Sequence, residues 1–231
     1  MIELKAVQLR KQYTHRRLFS ELSFEHRSGV LGIAGANGSG KSTLLRCIAF
    51  LQGIDAGEIH WNQEGNTLER EDFRQAIGFV APNIQFYDEL TVRENMDFVQ
   101  KMSGFDHHNI PHNQAYPNDW LAKTQIKDLA EYRYQRLSTG QQQRVKLAIA
   151  LSRNPSVLFL DEPGANLDAL GKDLIKELLT DLRKKGTLLF LASNDPKELD
   201  LCDRILDLDH VTPTFKNTFN PNPFSRDINL R

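Results

Sequence analysis

At 231 residues the chain can bury the core of one α/β domain with a small subdomain, and it is too short for two such units. Its 29 Lys and Arg stand against 30 Asp and Glu, a formal charge of -1, which excludes capture of nucleic acid or an anionic membrane by overall charge. No apolar run approaches the ~20 residues that span a bilayer, and Met1-Ile2-Glu3-Leu4-Lys5 carries charge from its third residue, so a cytosolic protein, or one peripheral through a partner, is expected. Cys47 and Cys202 lie far apart in apolar settings, a spacing that suits two buried thiols rather than a disulfide framework or zinc site.

In chain order, residues 2–9 alternate as a strand, 22–25 read as a second, and 29–34 as a buried strand. Residues 57–61 fit a further edge strand. A short apolar strand, Ile77-Gly78-Phe79-Val80, leads through Pro82 into a polar segment where the pattern turns helical. From about 91 to 154 the helical period dominates, broken by a polar loop at 104–118, which predicts an inserted helical subdomain. Residues 157–160 are an apolar strand, 168–185 an amphipathic helix, 187–192 a buried strand and 204–208 the last strand. This alternation predicts a single α/β domain over 1–208 with a mainly parallel, covered sheet. Residues 209–231, with Pro213, Pro221 and Pro223 among isolated phenylalanines at 215, 219 and 224, are expected to be an irregular tail. His107, His108 and His112 raise a metal question, but no cysteine or second cluster supplies the remaining zinc ligands, and a solvated loop is the simpler reading.

Residues 35–42 read Gly-Ala-Asn-Gly-Ser-Gly-Lys-Ser, directly after the buried strand and directly before Thr43-Leu44-Leu45-Arg46. Glycines 35, 38 and 40 let the backbone curl so that successive N–H groups face inward, and the new helix adds its positive end. Gly35, Asn37, Gly38, Ser39, Gly40 and Thr43 are thus expected around the phosphates of a nucleoside triphosphate. Lys41 is placed to reach the outer phosphates, and the Ser42 hydroxyl to bind Mg²⁺. Downstream, an apolar strand ends in Asp161-Glu162-Pro163. In a parallel sheet the strand C-termini line up beside such a loop, so Asp161 is expected at the metal, while Glu162 orients or deprotonates the attacking water.

Leu137-Ser138-Thr139-Gly140-Gln141-Gln142-Gln143-Arg144 opens the helix that runs through Leu151. Alone it is a plausible helix cap. With the phosphate loop and the Asp-Glu-Pro strand, in this order and separation, it resembles the ATP-binding cassette (ABC) ATPases over residues 1–208. The resemblance implies a P-loop NTPase core with a mainly parallel sheet, an N-terminal antiparallel β part and an inserted helical subdomain. It implies ATP and Mg²⁺ as ligands and two cassettes facing head to tail, the partner being a second copy or a paralogous cassette. Ser138, Gly140 and Gln141 would then close on the γ-phosphate held by the other subunit. Residues 165–168, Ala-Asn-Leu-Asp, match the family's loop across the dimer interface, and Tyr13 stands where an aromatic residue stacks on adenine; a half-exposed surface tyrosine is the other reading.

Two departures from the family stand out. The glutamine that follows the strand at 77–80 is replaced by Pro82, with Asn83 and Gln85 as candidate substitutes. The histidine that contacts the γ-phosphate is replaced by Asn194, which can donate to phosphate but cannot carry a proton at neutral pH. Asn194 also reads as a cap for a short helix at 196–199. The resemblance therefore implies the ATP-hydrolysing subunit of a transporter, most like the compact haem-exporter-like cassettes, held on the cytoplasmic face by a separate transmembrane permease chain and without nucleic acid as partner. A soluble ABC ATPase of an assembly system, such as iron-sulfur assembly, and a slow nucleotide-gated switch are the alternatives. The stretch between Ser42 and Ser138 leaves no room for the long coiled coil of the DNA-repair members.

Overall fold

A computed structural model describes residues 1–14, 16–103 and 117–210. The three loop histidines at 107, 108 and 112 and the tail phenylalanines lie outside them. β1 (Ile2–Tyr13) and β2 (Arg16–His26) lead to β3 (Val30–Ala34), which delivers α1 (Lys41–Ile48). β4 (Ala56–Gln63), β5 (Asn66–Thr67), α2 (Arg70–Ala76) and β6 (Ile77–Val80) follow. Next come the helices α3 (Val92–Met102), α4 (Pro117–Lys123) and α5 (Thr139–Leu151), and then β7 (Val157–Asp161), α6 (Ala169–Lys184), β8 (Leu188–Ala192), α7 (Pro196–Leu199) and β9 (Arg204–Asp207).

These strands form two sheets, an antiparallel one in the order β2-β1-β4-β5 and a parallel one in the order β6-β7-β8-β3-β9. The central strands β7, β8 and β3 are apolar almost throughout because helices or the second sheet cover both of their faces. One core layer lies between the sheets, where Trp61 stacks on Phe73 at 4.4 Å and Phe159 on Phe190 at 4.9 Å. A second lies under α5 and α6, and a third joins α3 and α5 within the helical part around Met96, Tyr134 and Val145. None of the described helices is long and apolar enough to cross a membrane.

Several elements differ from the sequence expectation for identifiable reasons. β1 runs to Tyr13 because a bulge interrupts it: Gln8 takes φ +50, the register shifts between Ala6 and Leu9, and the Gln8 N–H donates to Ser23 Oγ at 2.8 Å. Burial changes phase there, from Ile2, Leu4 and Ala6 to Leu9, so the alternation that signals a strand is broken. β4 is an inner strand between β1 and β5 rather than an edge. α2 has no counterpart in the sequence reading because Phe73 is its single buried residue. Cys47 is buried, but Cys202 is only half-buried; desolvation pushes the two thiols up to about 11 and about 12, so both stay protonated.

His26 closes β2 in a fully buried position, with Nε2 3.2 Å from the Gly29 carbonyl and 3.1 Å from that of Leu189. Both partners are acceptors, so Nε2 carries the proton and Nδ1 is left without a partner. Burial lowers its pKa to about 4. The unfolded chain therefore binds an extra proton between the ordinary 6.5 and 4, and the stabilisation present above pH 6.5 is lost as pH falls through that window. The loss is on the order of 3 kcal/mol. Denaturant titrations should show it in the parent, and it should shrink in His26→Leu.

Candidate active site

The phosphate loop takes its shape from glycine backbone. Gly38 (φ +80) and Gly40 (φ +107) occupy left-handed conformations, and Gly40 precedes α1 as its N-cap. The Ser39 N–H donates to the Ala36 carbonyl at 3.0 Å, closing the turn. Lys41 opens α1 and folds back into the loop, where Nζ donates to the carbonyls of Gly35 at 2.8 Å and Ala36 at 3.2 Å. Thr43 is half-buried in the first turn of the helix. Ser39 Oγ is buried within the loop without a hydrogen-bond partner.

The two carboxylates meet this loop as the sequence predicts. Asp161, at the end of β7 and 1% exposed, accepts a hydrogen bond from Ser42 Oγ at 2.8 Å. Burial raises its pKa, while the Ser42 hydroxyl and the nearby charges of Arg46 and Lys41 hold it down. A hydroxyl beside a carboxylate is the all-oxygen donor set that a hard divalent cation accepts, so Ser42 and Asp161 fit Mg²⁺. Glu162 sits at φ +49, with its N–H bonded to the Ala192 carbonyl at 2.8 Å and Oε1 4.0 Å from Lys41 Nζ. Desolvation raises its pKa; Lys41 opposes this, Glu198 and Asp161 add to it, and the Asn194 N–H opposes it. A carboxylate pushed upward is a stronger proton acceptor.

Asn194 reaches the same place from β8. Its Nδ2 donates to Asn37 Oδ1 at 2.9 Å, tying the segment after β8 to the phosphate loop. The cap of α7 is Asp195, whose carboxylate accepts from the Lys197 N–H at 2.9 Å, so the reading of Asn194 as a helix cap is corrected. Tyr13, 46% exposed, ends β1 opposite Arg16, whose guanidinium lies over Gly38. Its hydroxyl accepts a bond from Gln52, and the Lys11 ammonium stands 5.5 Å from its ring centroid.

Ser138, Gly140 and Gln141 gather at the start of α5 and away from this cluster in their described contacts. Ser138 Oγ accepts from the Gln141 N–H at 3.3 Å and Gln141 Oε1 from the Ser138 N–H at 2.9 Å, a reciprocal capping box. A Cβ on Gly140 would come within 3.1 Å of the Asn166 carbonyl, so only glycine lets the 165–168 loop approach this closely without displacement. Gln143 donates to the Pro163 carbonyl at 3.0 Å, and Arg144 pairs with Asp168 at 3.4 Å.

Three further groups belong to the neighbourhood and were not found from sequence. The Asp209 carboxylate accepts from the Ala36 N–H at 2.6 Å, Arg46 donates to Asn83 Oδ1 at 3.1 Å, and Lys146 donates to the Pro82 carbonyl at 2.7 Å. A lysine flanked by Val145 and Leu147 on a buried helix was the available signal for the last. Of the two candidates to replace the glutamine, Asn83 is the one bonded to α1.

A glycine loop that hands β3 to α1, with a strand-end Asp on its serine and a Glu beside its lysine, defines a phosphate-loop nucleotide-binding protein with a parallel-sheet core. The chain belongs to the ABC transporter family, whose family pattern matches residues 19–165. Among its relatives is the cytochrome c biogenesis ATP-binding export protein CcmA of Aliivibrio fischeri, 35% identical over 80% of this chain and 93% of that protein. Sulfate/thiosulfate import ATP-binding protein CysA 1 of Shewanella oneidensis is 32% identical over 89% of this chain and 55% of that protein. The chain thus spans about half the length of the sulfate/thiosulfate import relatives from Shewanella oneidensis and Vibrio cholerae. In fold it is similar to the ATP-binding cassette MJ0796, solved as a dimer in a post-hydrolysis state bound to ADP and Pi, with TM-score 0.76, 24% identity and coverage of 88% and 93% of the two chains.

Proposed function

We propose that the chain binds ATP and hydrolyses it to power a membrane transporter, working as a head-to-tail dimer on the cytoplasmic face beside a separate membrane-spanning chain. The single observation that carries this reading is the convergence of Ser42, Asp161, Glu162 and Lys41 at the mouth of the phosphate loop. Lys41 is held by two carbonyls that an outer phosphate can replace as acceptors, since a charge-assisted bond to phosphate is the stronger one. Mg²⁺ held by Ser42 and Asp161 would neutralise charge on the outer phosphates. Glu162 then orients the attacking water and takes its proton, the task for which its raised pKa suits it. Tyr13 offers an exposed ring for adenine, and the half-exposed start of α5 offers Ser138, Gly140 and Gln141 to a phosphate on the second copy.

The membrane partner is favoured by exposed apolar side chains on the helical part, where Tyr87 and Phe98 pack edge to face at 5.0 Å and Met102 follows one helical turn after Phe98. Export is favoured by the export relative CcmA, matched over nearly its whole length. Purification from detergent-solubilised membranes tests the assignment. A polytopic membrane protein should co-purify; recovery only in a complex of soluble proteins would contradict it.

Asn194 tests the site itself. Its amide holds Asn37 and its backbone N–H favours ionised Glu162, so it bridges loop and base. Asn194→His should raise turnover, since imidazole can both donate to the γ-phosphate and hold Glu162 with its water, and Asn194→Ala should slow it. A donor at developing charge is worth on the order of 10² in rate. Steady-state rates with the membrane partner present decide the point, and two variants indistinguishable from the parent would assign γ-phosphate contact elsewhere.

A further inference from the structure

Lys146 is a buried cation for which the proposed reaction has no use. It lies in the middle of α5, 9% exposed, between core residues Val145 and Leu147, and burial pushes its pKa down. Lysines are seldom buried without a counter-charge. Among the described residues no carboxylate pairs with it. Its ammonium instead donates to two backbone carbonyls, that of Pro82 at 2.7 Å and that of Ala81 at 3.4 Å.

Those carbonyls sit where the chain leaves β6. The ladder between β6 and β7 ends at Val80 opposite Leu160, so the residues after it have no strand partner. Proline at 82 contributes no N–H and biases Ala81 toward an extended conformation. Lys146 supplies the Pro82 carbonyl with a donor from outside the sheet, while the Ala81 carbonyl also accepts from the Ile84 N–H at 3.2 Å. One residue further on, Asn83 Oδ1 accepts from Arg46 Nη2 at 3.1 Å. Arg46 lies one helical turn beyond Ser42 on α1, and its charge bears on Asp161. At its other end α5 begins at Ser138. The three-residue segment 81–83 is thereby gripped from both sides, by the phosphate-loop helix through Arg46 and by the helix that carries Ser138 through Lys146.

We propose that Lys146 is a positioning residue: through the 81–83 segment it fixes the orientation of the Ser138-bearing helix relative to the phosphate-loop helix. This rests on the ATPase reading for its effect on turnover, but not for its effect on structure. The linkage is a contiguous chain of named hydrogen bonds, one kind of network that can carry energetic coupling between packed elements.

Three variants test it: Lys146→Met, which keeps the length and loses the donor; Lys146→Arg, which keeps a donor; and Asn83→Ala, which cuts the other grip. Two measurements are needed, ATP hydrolysis with the membrane partner present and hydrogen exchange of amides at 83–87 and 138–141 in the isolated chain. Lys146→Met should lower kcat about tenfold while KM for ATP stays within about twofold of the parent, the size expected when coupling and not binding is lost. It should also speed exchange in both segments. Lys146→Arg should restore most of the rate and the protection, and Lys146→Met with Asn83→Ala should fall no further than the worse single variant. Unchanged exchange in Lys146→Met would overturn the proposal whether or not the protein hydrolyses ATP. Loss of kcat that Lys146→Arg does not rescue would reduce Lys146 to packing. A parent that hydrolyses no ATP while Lys146→Met still loosens both segments would overturn the ATPase reading and leave the linkage standing.

Discussion

Glu162→Gln is expected to leave ATP binding intact and to lower the rate of phosphate release by on the order of 10²–10⁴, the usual worth of a positioned general base. The amide keeps the size of the side chain and a hydrogen-bonding oxygen, but it cannot accept a proton from water. The position itself is costly: a non-glycine residue at φ +49, pinned through its N–H to Ala192, is maintained only where surrounding structure over-determines it. The same environment predicts the acid limb of the pH–rate profile. Burial holds the Glu162 pKa above its ordinary value, so the ionised, active form is lost as pH falls through a range higher than that of a free glutamate. An acid limb at or below the ordinary glutamate range, or parent-like turnover in Glu162→Gln, would place the base elsewhere.

Lys41→Ala is expected to weaken ATP binding by on the order of 10²-fold or more, as removal of a desolvated, charge-assisted contact does. Lys41 is 6% exposed and already inside the cup, so no reorganisation of the helix is needed before it meets a phosphate. In this variant the Gly35 carbonyl loses its Lys41 donor, the Ala36 carbonyl keeps the Ser39 N–H, and both residues lie outside the buried core, so folding should be little affected. Calorimetry with ATP and Mg²⁺ measures the effect directly, and an affinity equal to the parent's would remove Lys41 from the site.

Much of this was legible in the sequence where a strong local pattern coincides with tertiary demand. The three central strands of the parallel sheet are continuous apolar runs because both of their faces are covered, and the phosphate loop announces itself because its backbone conformation requires glycine at fixed positions. Where one anchor or one irregularity decides the element, the pattern fails. α2 rests on Phe73 alone, and the bulge at Gln8 hides the second half of β1.

In the site, Ser42, Asp161 and Glu162 were readable from chemistry, but Ser138 and Gln141 are in this chain what their residues alone suggest, a helix cap, and only the family resemblance gives them a second role. Asn194, read from sequence as the replacement for the γ-phosphate-contacting histidine and alternatively as a helix cap, leaves capping to Asp195 and reaches Asn37. Arg46 and Asp209 were not legible because their partners are a distant side chain and a distant backbone group, which leave no mark on neighbouring sequence, whereas the apolar neighbours of Lys146 marked it as buried without naming its partner.

In the proposed function ATP closes two copies of this chain on each other, with the start of α5 of one against the phosphate loop of the other. Light scattering of Glu162→Gln, with ATP and Mg²⁺ at high protein concentration, tests this most directly because the blocked base prevents decay of the closed state. The mass of a dimer is expected with ATP and that of a monomer without it, and the dimer should be lost when Lys41→Ala is added. A monomer at every concentration, with ATP shown to be bound, would contradict this closure.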